Sequence, residues 1–274
     1  MHQNLTEQIQ TLLGQRQIPV MGAAPAEALN RKAPAGFRPA DFLADAASVL
    51  ILAKPLPVSV FTTPPATRNR FYITAFSAYY RALDDAALQI CLLLEEAGYP
   101  SLPIPSYSPI RFHEGEPKGL MSLKHAAAEA GLGKLGKNTL LIHPQYGNVL
   151  RLGGLVTTLE WAAADRADLS GICPEGCRQC VKSCPVGALD SGSIDKLRCM
   201  AHCLEHVLMP PKLLLRPLKW VIAKSSGLTR FMEVLTLNFF AHYGIECTAC
   251  LKACPHFPAT RSSAGPVSLG EPAV

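Results

Sequence analysis

Two cysteine runs constrain this chain more than any other feature of its sequence. The first reads Cys173-Pro-Glu-Gly-Cys177-Arg-Gln-Cys180-Val-Lys-Ser-Cys184-Pro185, and the second reads Cys247-Thr-Ala-Cys250-Leu-Lys-Ala-Cys254-Pro255. Each ends in C-x2-C-x3-C-P, the spacing of bacterial [4Fe–4S] ligand runs, in which the cysteine before proline serves the other cluster. Two such runs predict two clusters and a fold built around them. The crossing assigns Cys173, Cys177, Cys180 and Cys254 to one cluster, and Cys184, Cys247 and Cys250 to the second. The eighth thiolate must come from Cys199 or Cys203, which stand one helical turn apart.

Ten cysteines in 274 residues, nine of them between Cys173 and Cys254, suit metal or redox chemistry better than a disulfide framework, which belongs to short secreted chains. Zinc ribbons also pair C-x2-C units, but they need no Cys-Pro with a cysteine three residues earlier. Cys91 lies in an apolar helical stretch and reads as a small buried hydrophobe. Hydrophobic residues form 49% of the chain and charged residues 17%, which excludes a disordered chain. The most apolar run, from Ser48, ends at Lys54 and Pro55, well short of the ~18 residues a membrane span needs. The N-terminus has neither the layout of a secretory signal nor a twin-arginine pair, so a cytoplasmic location is expected.

Before the cysteines, Leu5, Ile9, Leu12 and Leu13 predict an opening amphipathic helix. Residues 20–45, rich in Ala, Pro and Gly, read as an irregular connection. Ser48–Ala53 reads as a strand, with Val58-Ser-Val-Phe as its extension. Phe71–Ala97 carries a long helical pattern stopped by Gly98. Prolines 100, 103, 105, 109 and 117 make residues 99–117 a shaped loop of the kind that lines a cleft. A helix over Leu120–Ala130 follows, then strands at Thr139–Ile142 and Leu152–Thr158 joined by a turn at Pro144–Asn148. The expected fold is α+β. An α/β domain spans 1–165 and a two-cluster ferredoxin-like domain spans 166–260, with a basic insert at 206–242 and a disordered tail at 261–274.

Gly131-Leu-Gly133-Lys-Leu-Gly136 matches G-x-G-x-x-G, but it follows a helix and precedes a strand. That order is the reverse of a dinucleotide-binding unit, and the segment alone reads as a helix cap and tight turn. The longer stretch Ala130-Gly-Leu-Gly-Lys-Leu-Gly-Lys-Asn-Thr-Leu-Leu-Ile-His-Pro-Gln-Tyr-Gly-Asn resembles the signature of the epoxyqueuosine reductase family. Arg151-Leu-Gly-Gly-Leu-Val-Thr-Thr-Leu and the isolated Arg-Cys between the two cysteine runs resemble it too, so the likeness covers roughly Ala46–Pro255. The resemblance implies Cys199 as the eighth ligand, a nitroreductase-like α/β domain, and a cobalamin (corrinoid) between residues 105–155 and the near cluster. It also implies Gly133, Gly136, Lys137, Asn138, Thr139, Tyr146 and Arg151 as the corrinoid's neighbours. Glycines would let the backbone approach a flat ring, and Lys or Arg would bind its phosphate or amides.

The sequence departs from the family at two places. The acidic proton donor expected upstream of Ala130-Gly-Leu-Gly is replaced near Pro117, with Glu114 and Glu116 close by. Tyr107 and Glu114, with His113, are the proton-donor candidates in the proline-rich segment, while His125 reads as structural or solvent-facing. The chain also runs only twenty residues past Cys254, so a small molecule rather than tRNA is the expected substrate. In the insert, Lys212, Arg216, Lys219, Lys224 and Arg230 face Glu233 alone, a net of +4 against +5 for the whole chain. Such a face would steer an acidic electron donor, a ferredoxin or flavodoxin. Sparse aromatics and the lack of a binding motif argue against nucleic acid. The expected function is reductive chemistry at a corrinoid. The alternative is an electron-transfer protein without an organic cofactor; a flavin reductase has no motif in its favour.

Overall fold

The run from Ser48 is a strand with both faces covered. In the computed structural model, which describes residues 2–107, 110–162, 168–203, 217, 220, 221, 224–239 and 247–258, β2 (Ser48–Pro55) follows α1 (His2–Gln15), β1 (Val20–Pro25), α2 (Ala26–Lys32) and α3 (Pro39–Phe42). Val49, Ile51 and Ala53 enter one apolar cluster, and Leu50 and Leu52 enter another on the opposite face. All five are fully buried. A strand buried on both sides reads as a continuous apolar run instead of an alternating one. Next come α4 (Ser59–Thr62), α5 (Pro65–Glu96), β3 (Ser101–Ile104), β4 (Ile110–His113), β5 (Glu116–Gly119), α6 (Leu123–Glu129), β6 (Lys134–Leu135), β7 (Leu141–Ile142) and β8 (Leu150–Thr157). The main sheet has the order β1-β2-β8-β3 with every pairing antiparallel. Helices α1 and α5 cover one face through Leu5, Ile9, Leu83, Ile90 and Leu94. Helices α2 and α6 cover the other through Leu29, Leu123, Ala126 and Ala127. The result is a three-layer mixed α and β domain.

The expected elements appear in place, with three corrections. Residues 20–45 are not an irregular connection. Val20–Pro25 pairs with β2 from Ala53 to Ser48, and on the side of α6 its Ala24 is buried and a Cβ on Gly22 would lie 2.7 Å from Leu132. Val58–Phe61 does not extend β2. The pairing with β8 runs through Pro55 opposite Leu150 and a last bond from Leu56 N–H to Val149 O at 3.1 Å. After it Pro57 has no N–H to give, and local bonds such as Phe61 N–H to Val58 O at 2.9 Å make a helical turn. Residues 99–117 form two pieces of sheet. β3 tolerates Pro103 because it is an edge strand paired only to β8. β4 and β5 form a hairpin whose turn residues Glu114 and Gly115 both take positive φ. Helix α5 starts at Pro65, six residues before the apolar pattern; proline suits a first helical position.

The remaining elements are α7 (Gln179–Lys182), β9 (Leu189–Asp190), β10 (Ser193–Ile194), α8 (Lys196–Cys203), α9 (Ser226–Phe239) and α10 (Ala249–Lys252). Lys224 and Arg230 of the basic insert are described, whereas Lys212, Arg216, Lys219 and the tail 261–274 lie outside the described residues. Among the described residues no helix is long and apolar enough to cross a membrane.

Candidate functional site

A cavity of about 870 Å³ opens between the β8 edge, α6 and the segments around β3–β5 and β9–β10, within the usual size of a ligand pocket of roughly 300–1,000 Å³. Arg151, buried on β8, gives it its electrostatic character. One guanidinium nitrogen donates to Tyr72 Oη at 2.7 Å and another to Leu150 O at 3.2 Å, and the group stands over the Tyr72 and Phe76 rings. Its Nε finds no partner. Among the described residues only three buried side-chain polar atoms are unpartnered: Arg151 Nε, Asn148 Oδ1 and Ser106 Oγ. All three residues line this cavity. Buried polar atoms left unbonded cost roughly 1–3 kcal/mol each, and such groups need an explanation. A polar ligand in the cavity supplies one.

The residues implied as corrinoid neighbours divide between two places. Gly136, Thr139 and Arg151 line the large cavity, and Lys137 and Asn138 line a smaller one of about 220 Å³. Gly133 and Tyr146 line neither. A Cβ on Gly133 would stand 2.4 Å from Ile142 O, so that glycine is needed for the turn to close on β7. Gly131, with φ at 75°, caps α6, so Gly131–Gly136 is the helix cap and tight turn that its context indicated. Lys137 holds the cysteine module. Its ammonium donates to Pro174 O at 2.8 Å, to Cys177 O at 3.0 Å and to Glu175 O, and its backbone N–H donates to Cys173 Sγ at 3.3 Å. Asn138 Nδ2 reaches Cys250 O at 3.5 Å, and Asn148 Nδ2 donates to Leu251 O at 2.9 Å.

Cys173, Cys177, Cys180 and Cys254 all line the smaller cavity, and Cys254 lies within electrostatic range of the other three. Cys250 has Cys199, Cys247, Cys180 and Cys184 as neighbours. Cys203 shares side-chain hydrogen bonds with both Cys199 and Cys247, so the spare thiol lies inside the second group. Among the described residues no three His, Cys, Asp or Glu side chains converge as they would on a single ion. The Ala188 N–H donates to Cys184 Sγ at 3.2 Å, as Lys137 does to Cys173; such bonds tune cluster potentials. Cys91 is apart from both groups, buried on α5, with its thiol pushed up to about 12 by desolvation.

Of the three proton-donor candidates, Tyr107 lines the large cavity, stacked on Tyr80 at 5.5 Å and edge-on to Phe76 at 4.8 Å, whereas His113 does not line it. Burial raises its hydroxyl far above the ordinary tyrosine value, and Cys203 is among its charged neighbours. The wall of the cavity therefore approaches the second cysteine group. Glu114 is exposed at the tip of the β4–β5 turn and does not line the cavity; the left-handed hairpin turn carries it outward. His125, read as structural or solvent-facing, is exposed and lines the cavity, with Nδ1 2.6 Å from Ser122 Oγ. Ser106, Lys124, Asn148 and Tyr72 were not anticipated. Lys124 alone left a trace in the sequence, as a cation set beside the buried Leu123, Ala126 and Ala127 of α6.

No family model matches the chain. It is 40% identical over 89 residues to the epoxyqueuosine reductase of Listeria monocytogenes, a stretch covering 32% of this chain and 22% of that protein. It is also 40% identical over 82 residues to the enzyme of a Synechococcus species, covering 29% and 25%. The matched stretch thus spans about a quarter of the length of these curated relatives. In fold it resembles the epoxyqueuosine reductases of Streptococcus thermophilus (TM-score 0.60, 20% identity, 93% of this chain and 66% of that one) and Bacillus subtilis (TM-score 0.59, 17% identity, 98% and 69%). A further epoxyqueuosine reductase structure, TM-score 0.59 at 15% identity over 97% of this chain and 68% of that one, holds an epoxyqueuosine-modified tRNA-Tyr stem loop. The expectation that nucleic acid plays no part here is in tension with that complex. Over the matched stretch in sequence, and over nearly its whole length in fold, the chain is similar to epoxyqueuosine reductases.

Proposed function

We propose that the chain is a reductase in which two [4Fe–4S] clusters pass electrons singly towards a corrinoid-like cofactor in the large cavity, where an epoxide-class substrate is reduced. The observation that carries this reading is a cavity of about 870 Å³ lined by Arg151, Asn148 and Ser106, each of which carries a buried polar atom without a partner. A protein that only relayed electrons would have no use for such a cavity. A bound corrinoid supplies low-potential, metal-centred reduction chemistry. Arg151 would hold acceptor groups of such a cofactor, Asn148 would hold donors through Oδ1, and Ser106 could do either. Gly136 and Thr139 shape the neighbouring wall, and Tyr80 and Tyr107 exclude water from it. Cys173, Cys177, Cys180 and Cys254 hold the first cluster. Cys184, Cys199, Cys247 and Cys250 hold the second, and Cys203 beside them is an electrostatic neighbour of Tyr107 in the cavity wall. A low-potential ferredoxin or flavodoxin is the donor.

The substrate to test first is an epoxide on a tRNA stem loop, because a solved relative holds one and a net charge of +5 favours a polyanion. A free epoxide nucleoside is the second choice. Anaerobic reconstitution with iron, sulfide and cobalamin tests the reading. About eight irons per chain, retained corrinoid absorption bands, and reduction of the stem loop under dithionite are expected. Full iron loading without corrinoid retention would refute it.

A further inference from the structure

Reduction of an epoxide to an alkene takes up two electrons and two protons and releases the ring oxygen as water. The clusters supply electrons only, so a side chain in the cavity wall must supply a proton. Glu114 is exposed at a hairpin tip away from the cavity. Tyr80, its hydroxyl pushed up to about 12, and Tyr107, raised further, hold their protons too firmly. Arg151 does not release one. Lys32 is paired with Glu129, Lys118 stands over the Phe37 ring, and Lys196 donates to Pro117 O at 3.1 Å.

Resting on the reductase reading above, we infer that Lys124, on the cavity wall of α6, is the proton donor of this site. Its ammonium is aimed by a single bond, to Thr139 O at 2.9 Å. Thr139 lines the same cavity and holds a left-handed backbone at φ 60°, an arrangement few threonines adopt. Desolvation pushes Lys124 down to about 8, and the Lys196 ammonium adds to the effect. Its charged neighbour is Lys196 from α8. Besides Tyr80 and Tyr107, the other titratable groups lining the same cavity are Lys32 from α2, Lys118 from β5, Arg151 from β8, and His125 and Glu129 on its own helix. Desolvation holds His125 below its ordinary value, which leaves it a poor acid at neutral pH. As the C–O bond breaks, the Lys124 Nζ proton passes to the departing oxygen. The amine is left neutral, and solvent supplies the second proton and reprotonates Lys124.

The test uses full-length protein carrying both clusters and corrinoid, with the epoxyqueuosine-modified tRNA-Tyr stem loop as probe and dithionite as reductant. Lys124→Met should lose about 10²–10⁴-fold in kcat, the usual share of a general acid, at unchanged iron content. Wild-type kcat should fall as pH rises through about 8. Lys124→Arg keeps a cation on the cavity wall but cannot release a proton, so it should lose kcat as Lys124→Met does. Separately from turnover, lysine-¹³Cε NMR should show a resonance titrating near 8 that is absent in Lys124→Arg. If wild type turns over while Lys124→Met matches its rate and pH profile, or if no lysine titrates below about 9.5 against the ordinary ~10.4, Lys124 is not the donor. If loaded wild type does not turn over at all, the reductase reading itself fails and this one with it.

Discussion

Gly147→Ala tests how the α/β domain and the cysteine module are joined. Gly147 has φ at 62°, and a Cβ there would lie 1.9 Å from His256 O, with Pro258 Cδ at 3.4 Å. No side-chain rotation relieves that contact, because the obstructing atom is backbone. A left-handed non-glycine residue costs roughly 1–2 kcal/mol, and forcing a methyl into a filled site costs about 1–3 kcal/mol more. A loss of about 2–5 kcal/mol is expected, which for a chain of this size is a fall of about 4–20 °C in Tm. The segment that must move, His256–Pro258, directly follows Cys254, so the first cysteine group should open before the main sheet melts. Iron per chain should therefore fall towards half, with calorimetry showing a new low-temperature transition. Gly171→Ala is the matched control, since nothing lies within 4 Å of its Cβ position. A Gly147→Ala protein with wild-type iron and Tm would show that the Gly147–His256 contact does not tie the two parts together.

Arg151→Met removes a buried charge that has no ion-pair partner among the described residues. The ligand-free variant should melt no lower than wild type, and as much as about 3 kcal/mol more stably, while cobalamin retention on a desalting column is lost; a strongly destabilised variant would mean that Arg151 is structural. Cys199→Ser should lower iron towards one cluster per chain and Cys203→Ser should not; reversed counts would make Cys203 the ligand. His143 is pushed down to about 4 by burial, its Nδ1 accepting from Gln145 N at 3.0 Å. Because the unfolded chain binds the proton more tightly, stability is full above about 6.5 and falls as pH drops towards 4. Partial exposure limits the loss to about 2 kcal/mol, and Tm measured from pH 7 to 4 in wild type and His143→Asn should show the difference.

What could be read beforehand depended on whether the cause was local. β2 was legible because burial on both faces leaves five apolar residues in a row. β1 was not, because Gly22-Ala-Ala-Pro has turn composition and becomes a strand only through the ladder that β2 offers. Cys254 stands near Cys173, Cys177 and Cys180, a proximity that the repeated spacing suggests, while the ligand assignment rests on that spacing alone. Ser106, Asn148 and Lys124 left little trace. Their significance comes from neighbours far along the chain, as in the Asn148–Leu251 bond across 103 residues.

The Gly-Lys-Asn-Thr signature shows how a resemblance and a mechanism can part company. Its residues were expected around a ring, with glycines permitting close approach. Lys137 instead closes over three carbonyls of the first cysteine loop, Asn138 reaches the second run, and Gly133 is required by Ile142 O. Only Gly136 and Thr139 face the large cavity. The segment therefore links the two candidate sites mechanically: one face of a six-residue turn holds the cysteine loops while the next residue, Thr139, orients Lys124. Loss of a cluster would release Lys137 and Asn138, and with them the turn that sets the cavity wall. Electron supply and proton supply would then fail together, without any direct contact between Lys124 and a cysteine.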